Sequence, residues 1–464
     1  MSVVDEPCAT RRRPDHRPGA AIRHWTPRDP RFWSATGRRV AARNLAVSAP
    51  ALLLATAVWQ IWSVTVVELD RAGFALSGAQ KFWLAALPGL TGATLRAGYA
   101  LLGPAVGRRR WTALSTAALI GPLLGLGFAV RDTATPYGVL LALAALCGLG
   151  GASASSSQAT LDPFYPPALR GRARALNAGL GDLGIPLAQV LTPIVITTGF
   201  LGAPAGRGQS ARGGGELWPQ NAALLWIPAS ALLAVLAWFL MNDLRVPGAP
   251  YRAALRNRHT WLLALLQLGT LGSFLGFAAA LPNLLDRTFT AADPSCSATG
   301  FVWVGPLVGV LARPLGGRLG ARVSDAWCTT ICFAGLALAV IVAVRALPSA
   351  GDPGNFRLSC AAFLLVFLFA GLGTGSGLRQ LPRVLLGPHR AAPQDPAGRR
   401  TAESEVSAAA GVGTALAAWG AFFVPAMFAL APATDALYVF VAFYAFCLAV
   451  CWWCYARDGA PAPS

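Results

Sequence analysis

The sequence predicts an all-α integral membrane protein whose twelve transmembrane helices form two pseudo-symmetric six-helix halves. Three observations lead to this fold class: the chain is strongly apolar, its apolar residues fall into segments of similar length, and the two halves repeat a motif. Of its 464 residues, 55% are hydrophobic and only 12% are charged, and the mean hydropathy is +0.52. A soluble protein needs a more polar surface than this composition supplies, so we expect lipid to cover much of the chain.

The apolar segments have the length of a bilayer crossing, since a helix needs about 20 residues to span a hydrocarbon core of roughly 30 Å. The twelve predicted segments are 44–67, 82–103, 112–130, 137–160, 173–200, 221–241, 261–284, 299–318, 327–344, 358–378, 402–430 and 436–455. They divide the chain into an N-terminal tail (1–43), a first half (44–241), a linker (242–260), a second half (261–456) and a C-terminal tail (457–464).

The formal charge of +18 comes from arginines that lie between the apolar segments. A nucleic-acid-binding protein would carry such charge on a soluble face, so we expect no nucleic acid partner. Every second loop is rich in arginine, as in Arg108, Arg109 and Arg110 after the second segment. The positive-inside rule therefore predicts that both termini are cytoplasmic and that the chain lies in the cell inner membrane. We expect no cleavable signal peptide.

The sequence contains no pattern typical of an enzyme. No nucleophile and base stand together, and the glycine runs lie inside membrane segments rather than after strands, where a phosphate-binding loop would be. Cys451 and Cys454 have the CxxC spacing of a metal or redox site, but no further ligands lie nearby in the sequence. We therefore expect no enzymatic activity, no metal and no cofactor.

The two halves repeat a glycine and an arginine at matching places. The second segment contains Gly92-Ala-Thr-Leu-Arg96 and the eighth contains Gly309-Val-Leu-Ala-Arg313. Glycine-rich stretches follow in the fourth segment (148–151) and the tenth (371–375). Two six-helix halves related by parallel repetition are typical of transporters that bind substrate at mid-membrane between the halves. Glycines at this spacing are also explained by close helix packing, and that alternative stays open for each stretch.

Arg96 and Arg313 place a positive charge well inside a membrane segment, which costs roughly 2.5–3.5 kcal/mol on insertion scales. Each could pair with a buried carboxylate or extend towards the membrane surface. Their equivalent positions favour a joint role instead, because two cations that converge on one cavity form an anion site. A guanidinium stays charged and offers paired N–H donors that match a planar oxyanion.

Several long runs of sequence carry a resemblance to a known family. They include Trp59-Gln-Ile-Trp-Ser63, the run FWLAALPGLTGATLR at 82–96, the run GTLGSFLGF at 269–277, and Leu311-Ala-Arg-Pro314. Through them the chain resembles the nitrate/nitrite porter family of the major facilitator superfamily over nearly its whole length. The resemblance implies that Arg96 and Arg313 bind substrate and that 148–157 and 371–379 are the two nitrate-signature stretches. The substrate-binding residues that we predict are Arg96, Arg313, Gly150, Gly151, Ser153, Asn177, Gln267, Gly373, Thr374 and Gly375.

The chain departs from the family pattern where substrate would bind. The first signature usually reads G-G-N-F, whereas this chain has Gly151-Ala-Ser-Ala154; the second usually reads G-N-G-S-T-F, and here it is Gly373-Thr-Gly-Ser-Gly-Leu378. Gln267 stands where the family usually has a tyrosine. The loss of amides and aromatic rings predicts a more open pocket with weaker selection for the shape of nitrate.

Three polar residues have two possible roles each. Asp182 replaces the asparagine that usually ends the family run N-A-G-L-G-N, and it is either the partner of a buried arginine or a titrating group that couples protons to transport. Asn177 hydrogen-bonds either substrate or a neighbouring backbone. We expect Asp162 to pair with Arg170 or Arg172 at the cytoplasmic mouth.

The predicted function is secondary transport of small inorganic anions, nitrate and/or nitrite, by alternating access. Transport of a different small monoanion and a non-transporting, sensor-like role are the alternatives. The expected partners are the anion, the lipid bilayer and either a counter-anion or a proton, and we expect a monomer. The sequence leaves the direction of transport and the coupling mode open.

Overall fold

The computed structural model describes residues 16–199, 201, 206–211, 214–244, 251–290, 300–349, 352–390 and 396–457. Parts of the predicted tails (1–15 and 458–464) and of the predicted linker (245–250) lie outside the described residues. Helices dominate the described part of the chain, and its strands are two residues long. β1 (Ala21–Ile22) pairs in parallel with β4 (Asp243–Leu244), and β2 (Gln209–Ser210) pairs antiparallel with β3 (Glu216–Leu217).

The first half and the segment before it contain the helices α1 to α12. Their bounds are α1 Pro30–Phe32, α2 Arg38–Gln60, α3 Trp62–Arg71, α4 Gly78–Val106, α5 Arg108–Ala118, α6 Ile120–Ala129, α7 Tyr137–Cys147, α8 Leu149–Leu161, α9 Pro167–Asp182, α10 Gly184–Thr197, α11 Asn221–Leu224 and α12 Trp226–Leu240. A π-helical turn (Trp33–Gly37) joins α1 to α2. The first helical run therefore begins at Pro30, inside the predicted tail.

The linker and the second half contain the helices α13 to α21. Their bounds are α13 Tyr251–Arg256, α14 Arg258–Gln267, α15 Ser273–Leu285, α16 Val304–Arg322, α17 Asp325–Ala346, α18 Phe356–Arg390, α19 Pro396–Ala418, α20 Gly420–Leu430 and α21 Ala433–Cys451. A π-helical turn (Leu268–Gly272) joins α14 to α15. The short α13 lies within the predicted linker.

Polar caps determine where several of these helices begin. The side chain of Asp29 accepts a hydrogen bond from the first turn of α1, Asn257 does the same for α14, and Ser324 for α17. Ser77 forms a capping box with Gln80 at the start of α4. Each cap satisfies a backbone N–H that has no partner within its own helix, so the helices start where the sequence offers such a side chain.

Ten helical stretches of the described residues are long and apolar enough to cross a membrane. This confirms an all-α membrane protein, but the predicted count of twelve is not confirmed. The two predicted segments outside the ten, 82–103 and 299–318, correspond to α4 and α16. Both helices are less apolar because each contains several glycines and an interior arginine, Arg96 or Arg313.

Apolar side chains fill both halves and the boundary between them. One hydrophobic cluster lies within the first half and includes Trp62 and Leu123. A second cluster, around Phe277, lies mainly in the second half and also takes in side chains of the first. Phe82 of α4 stacks on Phe428 of α20 with ring centroids 5.6 Å apart, which joins the halves.

The glycine-rich stretches hold equivalent helix pairs together in the two halves. A Cβ atom added at Gly148 would overlap the side chain of Thr91, so α8 lies close against α4. A Cβ atom added at Gly371 would overlap the carbonyl oxygen of Gly309, so α18 also lies close against α16. Each helix that carries one of the two arginines therefore packs closely against a glycine-rich helix.

Candidate functional site

Arg96 lies in the interior of α4 and connects the two halves. It is 4% exposed. Its Nε donates a hydrogen bond to the carbonyl oxygen of Gly151 at 3.1 Å, and its Nη1 donates to the carbonyl oxygen of Thr414 at 2.7 Å. Gly151 belongs to α8 in the first half and Thr414 to α19 in the second. The guanidinium also lies over the ring of Trp59, 5.4 Å from its centroid, which adds a cation–π contact.

Arg313 lies in α16 and also makes its polar contact across the boundary between the halves. Its Nη1 donates to Oδ2 of Asp182, the last residue of α9, and the side chains of the pair are 10% and 16% exposed. The guanidinium lies 4.6 Å from the ring centroid of Phe274. The remaining Nε and Nη2 atoms are buried and have no hydrogen-bond partner among the described residues.

The unpartnered edge of Arg313 has the geometry of an oxyanion site. Nε and Nη2 point their N–H groups in one direction and can donate two parallel hydrogen bonds to a carboxylate-like anion. A buried donor without a partner is destabilising, particularly on a charged group. An anion on this edge would remove that penalty.

The charges of Arg96, Arg313 and Asp182 add up to one net positive charge. Arg96 and Arg313 contribute two positive charges, and Asp182 contributes one negative charge when ionised. Asp182 attracts Arg96 electrostatically in addition to its contact with Arg313. One bound monoanion would therefore bring the group to neutrality.

The predicted substrate-binding glycines pack against neighbouring helices. A Cβ atom added at Gly150 would overlap the carbonyl oxygen of Ala55, and one added at Gly151 would overlap the Trp59 ring. A Cβ atom at Gly373 would lie 2.6 Å from the side chain of Thr270. Gly375 faces the backbone of Arg313. Gly150 and Gly151 thus allow α8 to pack closely on α2, Gly373 allows α18 to approach the π-helical turn, and Gly375 allows α18 to approach α16; direct contact with substrate stays a prediction.

Ser153 and Asn177 lie in a cluster of hydroxyl groups within the first half. Asn177 is fully buried, its Nδ2 donates to Ser157 at 2.8 Å, and Ser157 is hydrogen-bonded to Ser48 at 2.8 Å. The hydroxyl of Ser153 donates to the carbonyl oxygen of Leu149 and lines a small cavity together with Ser48 and Ser157. No hydrogen bond within the described residues joins this cluster to the two guanidiniums. In the second half, Thr374 also donates its hydroxyl to its own helix, at Ala370.

Gln267 is the predicted residue that offers additional donors near Arg96. It is 3% exposed, and neither atom of its amide has a hydrogen-bond partner in the described part of the chain. A Cβ atom added at Gly413 would lie 2.5 Å from its Oε1. Gly413 precedes Thr414, whose carbonyl oxygen accepts from Arg96. The Gln267 amide therefore lies close to the backbone that holds this arginine.

Sequence reasoning missed the groups that hold the guanidiniums in place. Trp59 and Phe274 both lie within the runs that carry the family resemblance. That resemblance was the available signal for them, but it did not indicate that their rings contact the two arginines. The carbonyl oxygens of Gly151 and Thr414 gave no signal, because any residue type supplies a carbonyl.

The prediction for Asp162 was wrong in its partner. Arg174 donates to both carboxylate oxygens of Asp162 and also to the hydroxyl of Ser407 in the second half. Arg170, one of the two arginines expected in this role, donates instead to the carbonyl oxygen of Tyr165, and Arg172, the other, forms no ion pair with Asp162 among the described residues. Arg174 lies one turn further along α9 and is the arginine that reaches the carboxylate.

Comparisons with known proteins identify relatives that cover almost the whole chain. No family model matches it. The chain is 36% identical over 452 residues to the nitrate/nitrite transporter NarU of Escherichia coli (strain K12), which covers 94% of this chain and 96% of the relative. It is 36% identical over 446 residues to NarU of Salmonella typhimurium, covering 93% and 96%. It is 34% identical over 458 residues to the probable nitrate/nitrite antiporter NarK2 of Thermus thermophilus, covering 96% and 98%.

Proposed function

Because the chain belongs to the nitrate/nitrite porter family of the major facilitator superfamily, we propose that it carries nitrate, nitrite or both across the cell inner membrane. Relatives at 34–36% identity that are named nitrate/nitrite transporters or antiporters support the substrate class. The chain is a multi-pass membrane transporter rather than an enzyme. We further propose that both termini are cytoplasmic, since every second loop is rich in arginine.

The buried, unpartnered Nε/Nη2 edge of Arg313 is the observation that carries the proposed binding mode. Among the described residues no group of the protein accepts a hydrogen bond from this edge, while the third nitrogen, Nη1, donates to Asp182. Nitrate and nitrite are planar and have two oxygens at the spacing that this edge accepts. Phe274 lies over the guanidinium and helps to fix its plane.

Arg96 supplies the second positive charge and links the site to the other half. In the proposed transport cycle the anion binds between Arg96 in the first half and Arg313 in the second, with Gln267 as a further donor. The halves then rock about the anion so that it faces each side of the membrane in turn. The contacts that cross between the halves at both arginines support a site at the boundary about which they move.

Exchange in proteoliposomes tests the binding mode. The full chain is reconstituted, vesicles are loaded with nitrite, and uptake of labelled nitrate is followed. We expect the double variant Arg96→Ala with Arg313→Ala to lose exchange, because the anion then meets no buried cation. Arg318→Ala is the matched control, since Arg318 lies on α16 and is exposed. Undiminished exchange in the double variant would refute binding by the two arginines.

A different small monoanion is the second candidate substrate. Ala154, Leu378 and Gln267 stand where the family usually has aromatic rings, so the charge attraction is retained while the contacts that select a flat anion are reduced. Uptake measured across nitrate, nitrite, formate, chlorate and small organic acids decides between the candidates. Flux of another anion without nitrate or nitrite flux would favour this candidate. No flux of any anion would favour a sensor-like role.

A further inference from the structure

Asp182 contacts Arg313 but has no direct role in binding the anion in the proposed binding mode. It ends α9 in the first half, and its carboxylate accepts from Nη1 of Arg313 in the second half. The same carboxylate attracts Arg96. Of the other three arginines of α9, Arg170 and Arg174 are bonded to Tyr165 and Asp162 near the start of the helix, and Arg172 forms no ion pair with Asp182 among the described residues. Within the described residues, the charged groups that interact with Asp182 are therefore Arg96 and Arg313.

The carboxylate and a bound anion can occupy Arg313 at the same time. Asp182 uses Nη1, while the Nε/Nη2 edge has no partner among the described residues. With Asp182 ionised, the group of three side chains carries a charge of +1 when it is empty, and it is neutral when a monoanion is bound. With a neutral residue at this position, the same two states would carry +2 and +1.

These charge states determine which forms of the carrier can change conformation. Two buried cations without a counter-ion are costly at the centre of a membrane protein and retain water and ions around them, which opposes closure of the site. In a carrier with a neutral residue at 182, closure therefore needs the transported anion. In this chain Asp182 supplies an anion to Arg313 without any bound substrate.

We propose that Asp182 is a tethered counter-anion for Arg313 that allows the empty carrier to reorient, so that this protein catalyses net anion transport in addition to exchange. The proposal rests on the proposed function, because it assumes that the two arginines bind the transported anion. Asp182 is a positioning residue: it acts through Arg313 and accepts from Nη1 rather than from the proposed anion-binding edge.

Two flux measurements on the reconstituted full chain test this. Exchange is measured with nitrate on both sides of the vesicle membrane. Net uptake of nitrate is measured with gluconate alone inside the vesicles. Valinomycin and equal potassium concentrations hold the membrane potential at zero, because net uptake of an anion moves charge. We expect the wild type to show both fluxes, and Asp182→Asn to lower the ratio of net uptake to exchange by at least about tenfold.

Two further variants serve as controls. Asp182→Glu keeps the carboxylate and should retain most of the net uptake. Asp132→Asn makes the same chemical change in an exposed loop, where the side chain accepts a hydrogen bond from Ala134 that an asparagine can also accept, and should leave both fluxes unchanged.

The outcomes separate this proposal from the proposed function. Exchange without net uptake in the wild type would overturn the counter-anion role alone, and this result needs no variant. An unchanged ratio in Asp182→Asn, or the joint loss of both fluxes in a variant that is folded by size-exclusion chromatography, would also overturn it. Absence of both fluxes in the wild type would count against the proposed function itself.

Discussion

Replacing Arg313 by lysine tests whether the proposed anion site needs the geometry of the guanidinium as well as its positive charge. The guanidinium uses Nη1 for Asp182 and keeps Nε and Nη2 for the anion. A lysine keeps the positive charge, but its single ammonium is attracted by the Asp182 carboxylate and cannot offer two parallel N–H donors to a second anion. The substitution therefore removes the bidentate contact while the net charge of the site is preserved.

The expected loss follows from the number of hydrogen bonds involved. Two charge-assisted bonds to the anion are replaced by at most one, and such a bond contributes about 1.5–3 kcal/mol. The apparent affinity for nitrate should then fall roughly 10- to 150-fold. The half-saturating nitrate concentration for exchange in proteoliposomes measures this change, and Arg318→Lys on the exposed side of α16 is the matched control. Equal half-saturating concentrations in the wild type and Arg313→Lys would refute a bidentate site at this arginine.

Two further predictions concern the packing and the positive charges around the site. Gly375→Ala should destabilise the protein by about 1–3 kcal/mol, because the new Cβ atom would overlap the carbonyl oxygen of Arg313. In Gly377→Ala, on the same helix, the new Cβ atom meets none of the described residues within 4 Å, so this variant should melt like the wild type in detergent. Equal melting of the two variants would contradict the close packing of α18 on α16. Arg96→Lys should weaken the affinity for the anion less than Arg313→Lys does, because Nε and Nη1 of Arg96 already donate to carbonyl oxygens of the protein. The half-saturating nitrate concentrations of the two variants measure this difference. A larger loss of affinity in Arg96→Lys would contradict the assignment of Arg313 as the main anion-binding residue.

The burial of Arg96 and Arg313 could be predicted from the sequence, because both lie well inside apolar segments. They also repeat at matching places, which predicts a shared anion site. The same reasoning gave two roles for Asp182. Sequence reasoning could not identify which arginine pairs with Asp182. Asp182 and Arg313 are far apart in the chain, and only the packing of α9 on α16 brings them together.

Other features depend on tertiary contacts that local sequence does not encode. The pairing of Asp162 with Arg174 rather than Arg170 depends on side-chain reach across a helix start, and neighbouring arginines look alike in the sequence. The glycine-rich stretches were consistent with both substrate binding and helix packing. In the structure Gly150 and Gly375 face other helix backbones, so here packing explains the residue type.

The first helical run shows how local signals can be overridden. Apolarity placed its start at residue 44, but the helix begins at Pro30 because Asp29 caps it and the polar residues that follow continue into α2. The β1–β4 pairing then ties the chain before this helix to the start of the linker. Neither contact is visible in a hydropathy pattern.

The modest apolarity of α4 and α16 has a consequence for the synthesis of this protein. Helices leave the translocon for lipid according to their own hydrophobicity, and a central arginine with several glycines disfavours that step. These two helices should therefore be retained beside the translocon until a neighbouring helix shields the charge: α8 for α4, through the Gly151 carbonyl, and α9 for α16, through Asp182. The two arginines proposed to bind the anion thus also affect the order in which these helices can enter the bilayer, with α16 dependent on a helix made much earlier in translation.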